Sequence, residues 1–460
     1  MSDDLREQRI GKLNELTALG IAPYGGSFDR TTDADGCHRD YREGKNVRVA
    51  GRLTAIRGHG KTVFADLRDS SGKIQLYIRR DMVGEDNFAL VKLLDLGDIA
   101  GVEGELFVTR KGETSVKADS IVLLSKALRP LPEKWHGLKD RETRYRRRYL
   151  DLIVNEDVRR LFENRSLIIR RIRRFLEERG FIEVETPMMQ PIPGGAAARP
   201  FETFYTALDT GMYLRIAPEL YLKRLLVGGM ERVFELNRNF RNEGLSRKHN
   251  PEFTMLEIYQ AYGDCRMMME LVEGLVTDAA EHVCGTLRVG EEGNEIDLTP
   301  PWKRIAYRDL IVDYLNDPDW FSRSPDEMGA VARRRGLEIE EDAAPLEITH
   351  EIYEKSIEPG LIQPTFVLNL PAGLVPLARK HPEDESLVDV FELVVNGSEL
   401  APGYSELTDP LEQRSRFLRQ IEEGGEEAGR IDEDFLEAME TGMPPAGGTG
   451  IGRASCRERV

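Results

Sequence analysis

From residue 47 to residue 125 apolar and polar positions alternate in short runs: VRVAGRLTAI, TVFADLRD, KIQLYIRR, GDIAGVEGELFVT and SVKADSIVLLS, separated by Gly, Asp and Ser. A period of two in runs rich in β-formers predicts strands. Five such runs in ~80 residues predict a small closed barrel of the OB type. Upstream the period is helical: Leu5, Ile10, Leu13 and Leu16 recur behind Ser2, a candidate cap, and Gly20 ends the pattern. Downstream a second stripe, Val158, Leu161, Phe162, Ile169, Ile172, Phe175 and Leu176, predicts a long helix closed by Gly180. FIEVETPMM follows as a strand ending at Pro187, and further strands are expected around 213–217, 231–241, 252–262, 364–370 and 388–407. They are amphipathic and several are joined by tight turns. The expectation is therefore an α+β fold, with an antiparallel sheet flanked by helices rather than a doubly wound parallel one. Residues 303–360 read as a charged helical insertion. The boundaries expected are 1–145 for the helix and barrel, 146–450 for the sheet domain, and 451–460 for a tail.

Composition narrows the class. At 460 residues, 40% hydrophobic and 32% charged, the chain has the content of a multidomain globular protein. No apolar run approaches the ~18 residues of a membrane span. Four cysteines, Cys37, Cys265, Cys284 and Cys456, lie far apart without a CxxC pair, which argues against a zinc site and fits a reducing cytoplasm. A net charge of −17 argues against indiscriminate nucleic-acid binding but leaves room for a local basic face. The densest basic run, KDRETRYRRRYLD at 139–151, reads equally as a solvated hinge or as a phosphate contact.

Three stretches carry candidate chemistry. FRNEGLSRKHNPEFTMLEIYQAY, 240–262, reads as a strand end, a basic loop and a second strand. Alternation puts Phe253, Met255, Glu257 and Tyr259 on one face, with Arg241, Arg247, Lys248 and His249 where the loop crosses the end of that row. The pattern suits a polyanion with a flat ring near the loop and a cation further along, although a lone glutamate on a sheet face is more often solvated. In VDVFELVVNGSELAPGYSEL, 388–407, Asn396-Gly397 signals a two-residue hairpin pairing Val395 with Ser398 and Val394 with Glu399. Glu392 then shares a face with Glu399 at roughly 7–8 Å between backbones. Such a pair suits magnesium with nucleotide phosphates, against the plainer reading of an exposed acidic hairpin. A bulge at Pro402-Gly403 would return Tyr404 and Glu406 to that face. In PIPGGAAARPF, 191–201, Gly194 and Gly195 permit a close backbone approach to a ligand, or simply make a surface loop.

Together these stretches resemble the class II aminoacyl-tRNA synthetases of the lysyl branch. The F-R-x-E and H-x-x-x-F text of class motif 2 is matched by Phe240, Arg241, Glu243, His249 and Phe253, and residues 155–187 are similar to motif 1 with Pro187 at its proline position. GGAAARPF, RIAPELYLKRL, RNFRNEG and RYRRRYLDL match that branch almost word for word, and the likeness runs from near residue 8 to about residue 450. The resemblance implies ATP-dependent ligation of L-lysine to tRNA(Lys) through a lysyl-adenylate, in a cytoplasmic homodimer with no membrane association. It implies Arg241 on the α-phosphate, Glu243 and His249 with the nucleotide (His249 at the outer phosphates), and Phe253 stacked on adenine. Glu392 and Glu399 would hold Mg2+, Gly195 and Glu219 would receive the α-amino group, and Glu257, Tyr259 and Glu406 the ε-ammonium, with Tyr404 lining the pocket. Phe64, Gln75 and Glu113 match anticodon-reading positions. For Phe64 a place in the barrel core competes with that role.

The sequence also departs from the family. Pro402 stands where members usually carry asparagine, and Val375 where a serine is common. GGTGIG runs into RASCRERV where the third class motif would read G-I-G-I-D-R-L, so Ser455 stands where its arginine is expected. The reading is that IGRASCRERV is a non-native tail and that this copy is impaired. Two rival readings are a catalytically silent tRNA-binding paralogue and a lysyl ligase acting on a translation factor. Ligases of the latter kind lack the barrel, so residues 47–125 count against it.

Overall fold

The structure, a computed structural model, describes residues 2–132, 138–196, 198–244, 250–291, 293–340, 342–375, 378–424 and 431–452. The chain divides into two compact units, Met1–Arg159 and Arg160–Val460.

The first unit opens with α1 (Ser2–Ala18) and a short α2 (Ala34–Arg39). Five strands follow: β1 (Asn46–His59), β2 (Thr62–Arg68), β3 (Lys73–Arg79), β4 (Ile99–Val108) and β5 (Thr114–Ser125), closed into a barrel in the order β1-β2-β3-β5-β4. Alternation sends Val47, Val49, Leu67, Ile74, Leu76, Val102, Leu106 and Val116 inward, all without solvent exposure. Between β3 and β4 lies α3 (Arg80–Leu93), which burying Val83, Phe88 and Val91 draws onto the barrel. Its interrupted pattern, RDMVGEDNF with Gly84 at φ 81°, hides it from a periodicity reading. In α1 the expected stripe is only partly apolar: Leu16 is buried, Leu5 is exposed, and between them Arg9 is buried and donates to the carbonyls of Leu96, Ala127 and Arg129. The basic run forms α4 (Arg141–Arg146) and α5 (Arg148–Val154). Two of its arginines fold back on the buried Asp151, Arg144 Nε at 2.9 Å and Arg148 at 2.5 Å.

The helix α6 (Glu156–Glu177) leads into the second unit. Val158, Phe162, Phe175 and Leu176 are buried as the stripe predicts, whereas Leu161 on its flank is 44% exposed. Then come β6 (Ile182–Glu183), a small sheet of β7 (Met189–Gln190), β8 (Phe201–Tyr205) and β9 (Thr210–Leu214), and α7 (Glu219–Val227). After β10 (Arg232–Phe240), β11 (Glu252–Ala261) and α8 (Cys265–Cys284) comes a hairpin of β12 (Arg288–Glu291) and β13 (Asn294–Asp297). Next are β14 (Lys303–Ala306), the helices α9 (Tyr307–Leu315), α10 (Pro325–Arg334) and α11 (Pro345–Ile352), and β15 (Thr365–Leu368). The unit ends with β16 (Val390–Val395), β17 (Ser398–Ser405), α12 (Pro410–Gly424), α13 (Glu433–Glu440) and β18 (Ala446–Ile451).

The main sheet runs β14-β15-β16-β17-β18-β11-β10-β6. Its centre is antiparallel, as expected; the edge pairs β14·β15 and β10·β6 are parallel, because each edge strand returns through helical connections rather than a hairpin. Glycine-rich β18 lies between β11 and β17, so Gly450 faces Glu257, and Gly448 pairs with Tyr259 on one side and Tyr404 on the other.

The hairpin at Asn396-Gly397 has φ of 54° and 65°, and pairs Val395 with Ser398 and Val394 with Glu399. The bulge expected at Pro402-Gly403 lies elsewhere. Register shifts at Leu400, after which Leu393 pairs with Ala401 and Glu392 with Pro402. The extra residue flips the parity of β17 there, so Glu399, Pro402 and Tyr404 share the face of Glu392.

Candidate active site

On one face of the main sheet three glutamates converge. Glu257 and Tyr259 project from β11, Glu406 follows β17, and Glu219 is the first residue of α7. Glu257 and Glu406 are 6% and 4% exposed. Gly448 makes room for them: a Cβ there would overlap Glu406 Oε1 and lie 2.6 Å from Tyr259 Cε1. Gly195, at φ +84°, presses against α7, where a Cβ would come within 2.9 Å of Glu219 Cβ. A cation absent from the sequence reading lies among these acids. The fully buried Lys223 donates from Nζ to Glu219 Oε1 and Glu406 Oε2, each at 2.6 Å, with its Nζ 6.0 Å from the Tyr259 ring centre.

The electrostatics follow from burial. Burial works against the Lys223 charge, but Glu219 and Glu406 outweigh it and hold the ammonium's pKa above its ordinary value. Glu406 is nonetheless raised: burial dominates, it has half a share of one cation, and Glu219 repels it. Burial, then repulsion from Glu219, pushes Glu257 up to about 8, against the Tyr259 hydroxyl (3.1 Å), Arg241 and Lys223. Among the described residues no cation is ion-paired with Glu257.

A second acidic group borders the first. Glu392 on β16 and Glu399 on β17 share a face, and Glu358 accepts from the Glu399 backbone N–H at 3.1 Å. Burial raises Glu392, reinforced by Glu399 and Glu358 and opposed by the Tyr353 hydroxyl at 3.4 Å. Glu399 shifts the same way; its side chain is exposed at the rim, where solvent screens part of the repulsion. Crowded hard-oxygen donors of this kind fit a magnesium ion. No cluster of three or more metal donors occurs among the described residues, so the pair suits an ion completed by ligand oxygens rather than a protein cage.

Arg241 joins the two groups, its charge lowering both Glu257 and Glu399. Its Nε donates to the Ile216 carbonyl at 3.2 Å, and its guanidinium stands 5.4 Å from the Phe253 ring centre. Phe253 is 1% exposed, so a base can stack on it only once the side chains covering the ring, Arg241 among them, move aside. Tyr404, half-buried, feels Glu399, Glu219, Glu392 and Glu406 at once and marks the seam between the groups. Glu243 is exposed on the loop, and His249, with Arg247 and Lys248, lies outside the described residues.

In the first unit, Phe64 is on the outer face of the barrel, not in its core. Its ring lies 5.0 Å from Tyr77, which lies 5.5 Å from Phe107. All three are half-buried and form a ladder across β2, β3 and β4. On the same face Gln75 Nε2 donates to Glu113 Oε2 at 2.8 Å, and Ser115 donates to Gln75 Oε1 at 3.0 Å.

Residues 140–454 match the profile of the class II tRNA synthetases (D, K and N). The chain belongs to that family. Residues 47–124 match the OB-fold nucleic acid binding domain. Lysine–tRNA ligase of Moorella thermoacetica is 53% identical over 98% of this chain and 93% of its own length. The ligases of the same name from Carboxydothermus hydrogenoformans and Syntrophomonas wolfei are 52% and 50% identical, each over 98% of this chain and 93% and 92% of their own lengths.

Sequence reasoning about this synthetase overlooked Lys223, Gly448, Glu358, Tyr77 and Phe107. Gly448 and Gly450 did leave a signal: glycines at alternate positions of a central strand mark close approach to one face. Tyr77 follows from Phe64 by cross-strand pairing. Lys223 left none, since a lysine in the helical text ELYLKRLLV reads as solvated.

Proposed function

We propose that the chain ligates L-lysine to tRNA(Lys) at the expense of ATP, through a lysyl-adenylate. The observation that carries this is the buried acidic cluster beside Arg241, floored by Gly448: crowded carboxylates select a cationic side chain, because an unpaired buried charge is costly. Glu257, Tyr259 and Glu406 hold the ε-ammonium, Tyr404 lines the pocket, and Gly195 and Glu219 receive the α-amino group. Arg241 draws the substrate carboxylate and the α-phosphate together, so the carboxylate attacks phosphorus as pyrophosphate leaves; the tRNA terminal hydroxyl then attacks the carbonyl carbon of the adenylate, loses its proton, and AMP leaves as the anhydride C–O bond breaks. Glu243 and His249 belong to the same nucleotide cradle, with Phe253 beneath it. A magnesium ion held by Glu392 and Glu399 would neutralise charge on the nucleotide phosphates. On the barrel, Phe64 stacks on an anticodon base while Gln75 and Glu113 contact base edges.

A homodimer fits the apolar side chains left in solvent on α6, β6, β7 and β8, namely Leu161, Ile168, Ile182, Met189 and Phe204. Among the described residues no helix is long and apolar enough to cross a membrane.

The test is ATP–pyrophosphate exchange, run on the chain as it stands and on a version whose residues 450–460 are replaced by the G-I-G-I-D-R-L text of the class, which puts its arginine at position 455. Exchange that depends on lysine is expected. Exchange with aspartate and not lysine would refute the substrate assignment.

A further inference from the structure

Three carboxylates, Glu219, Glu257 and Glu406, come together at one site, and among the described residues Lys223 is the ammonium that stands between them. Lys223 is no surface residue folded inward. It stands on α7 between Leu222 and the core packing of Leu220 and Leu226, its side chain is 2% exposed, and two 2.6 Å bonds hold its Nζ. Its remaining approach is over the Tyr259 ring. Leaving that position would strand the buried Glu406 carboxylate and leave the half-buried Glu219 without its cation, a loss that hydrating one ammonium does not offset.

The charge balance shows what such a residue does. Once two ammonium groups hold all three acids ionised, three carboxylates less one internal ammonium leave two negative charges, matching the two ammonium groups of free lysine, and Arg241, beside Glu257, is left for the substrate carboxylate. Without the internal cation the pocket would carry one charge too many. Its acids would protonate to relieve it and lose their grip on an ammonium.

We propose that Lys223 is a specificity-determining positioning residue: it stays in place when substrate binds, clamps Glu219 to Glu406, and sets the pocket's charge to that of a diamine acid. This rests on the reading of the pocket as a lysine site. The groups facing Lys223 are Glu219 on its own helix, Tyr259 and Glu257 on β11, and Glu406 just after β17, with Arg241 beyond Glu257 and Tyr404 beside Glu219 and Glu406.

The experiment is calorimetric titration of lysine into the unaltered chain and into Lys223→Met, in buffers of different ionisation enthalpy, with ATP titrated into both. Met matches the stem and removes the charge. The expected result is lysine affinity weakened about tenfold or more in Lys223→Met, with ATP affinity within about twofold. Binding should also release about one further proton per lysine at neutral pH, because the unclamped acids now hold it. A general loss of packing would not alter proton release in this way. Equal lysine affinity and equal proton release in the two proteins would overturn the proposal.

Should Lys223→Met fail to fold, the crystal structure of the unaltered chain with lysine decides: Lys223 Nζ still bonded to both carboxylates supports the clamp, and Lys223 swung out with substrate ammonium in its place refutes it. Failure of the unaltered chain to bind lysine at all would instead remove the functional reading, and the proposal with it.

Discussion

Gly448 of β18 faces Glu406 at a separation that leaves no room for a side chain, and the same glycine underlies the Tyr259 ring. The acidic pocket therefore depends on an atom that is missing from a neighbouring strand. Gly448→Ala should weaken lysine binding about tenfold or more, as the added methyl displaces Glu406 or Tyr259. ATP binding should stay within about twofold, since the change lies on the amino-acid side. Lysine KM and ATP KM in the exchange assay check this.

Glu257 gives a pH dependence of definite sign. Its folded pKa of about 8 lies above the ordinary 4.5, so the ligand-free folded state holds a proton that the unfolded chain has released. Stability should fall as pH rises from about 5 to about 8, with a limiting slope of about 1.4 kcal/mol per pH unit for one group, and Glu257→Gln should flatten that slope. Lysine affinity should run the other way, rising towards pH 8, because the ammonium pairs with ionised Glu257. Denaturant melts and titrations between pH 5.5 and 8.5 measure both.

Arg241 is the cation that Glu257 and Glu399 share. Arg241→Ala should reduce exchange by about 100-fold or more, the scale of losing a preorganised charge at a reacting phosphate. Arg241→Lys should recover little of it, because a point charge lacks the planar fork. The acid limb of the lysine-affinity profile should also move to higher pH, since Arg241 holds the Glu257 pKa down.

Stability and activity should part company at Glu392. Removing one of several crowded, mutually repelling acids relieves strain, so Glu392→Gln should melt no lower, and in metal-free buffer higher, than the unaltered chain. Exchange should meanwhile need about tenfold more magnesium or more. EDTA should abolish exchange without lowering the melting temperature. Thermal melts and a magnesium titration of the rate test the two halves separately.

The aromatic ladder on the barrel yields a change confined to RNA. Tyr77→Ala should weaken tRNA binding about five- to 100-fold, the value of one base–aromatic stack, with lysine activation unchanged. Filter binding beside the exchange assay distinguishes this from misfolding.

The OB-type barrel and the antiparallel core of the main sheet were legible because period-two alternation fixes which side chains share a face. The same local rule placed Glu257 beside Tyr259, and Asn396-Gly397 alone set the pairing of Val394 with Glu399. It could not locate the bulge at Leu400, since a one-residue slip depends on how β17 meets β16 further along. It also misjudged Leu161 and Leu5, whose place in a helical stripe says nothing of what covers the helix.

The chain's own order of residues thus decided its elements, the alternation of its strands and the clustering of acids at three separate places. Only the folded sheet, by threading β18 between β11 and β17 and bringing α7 against them, decided that Glu219, Glu257 and Glu406 share one pocket and that Lys223 lies within it. The reason is one of range: backbone periodicity acts over a few residues, whereas burial, and the charge pairing it enforces, is settled between residues nearly two hundred positions apart.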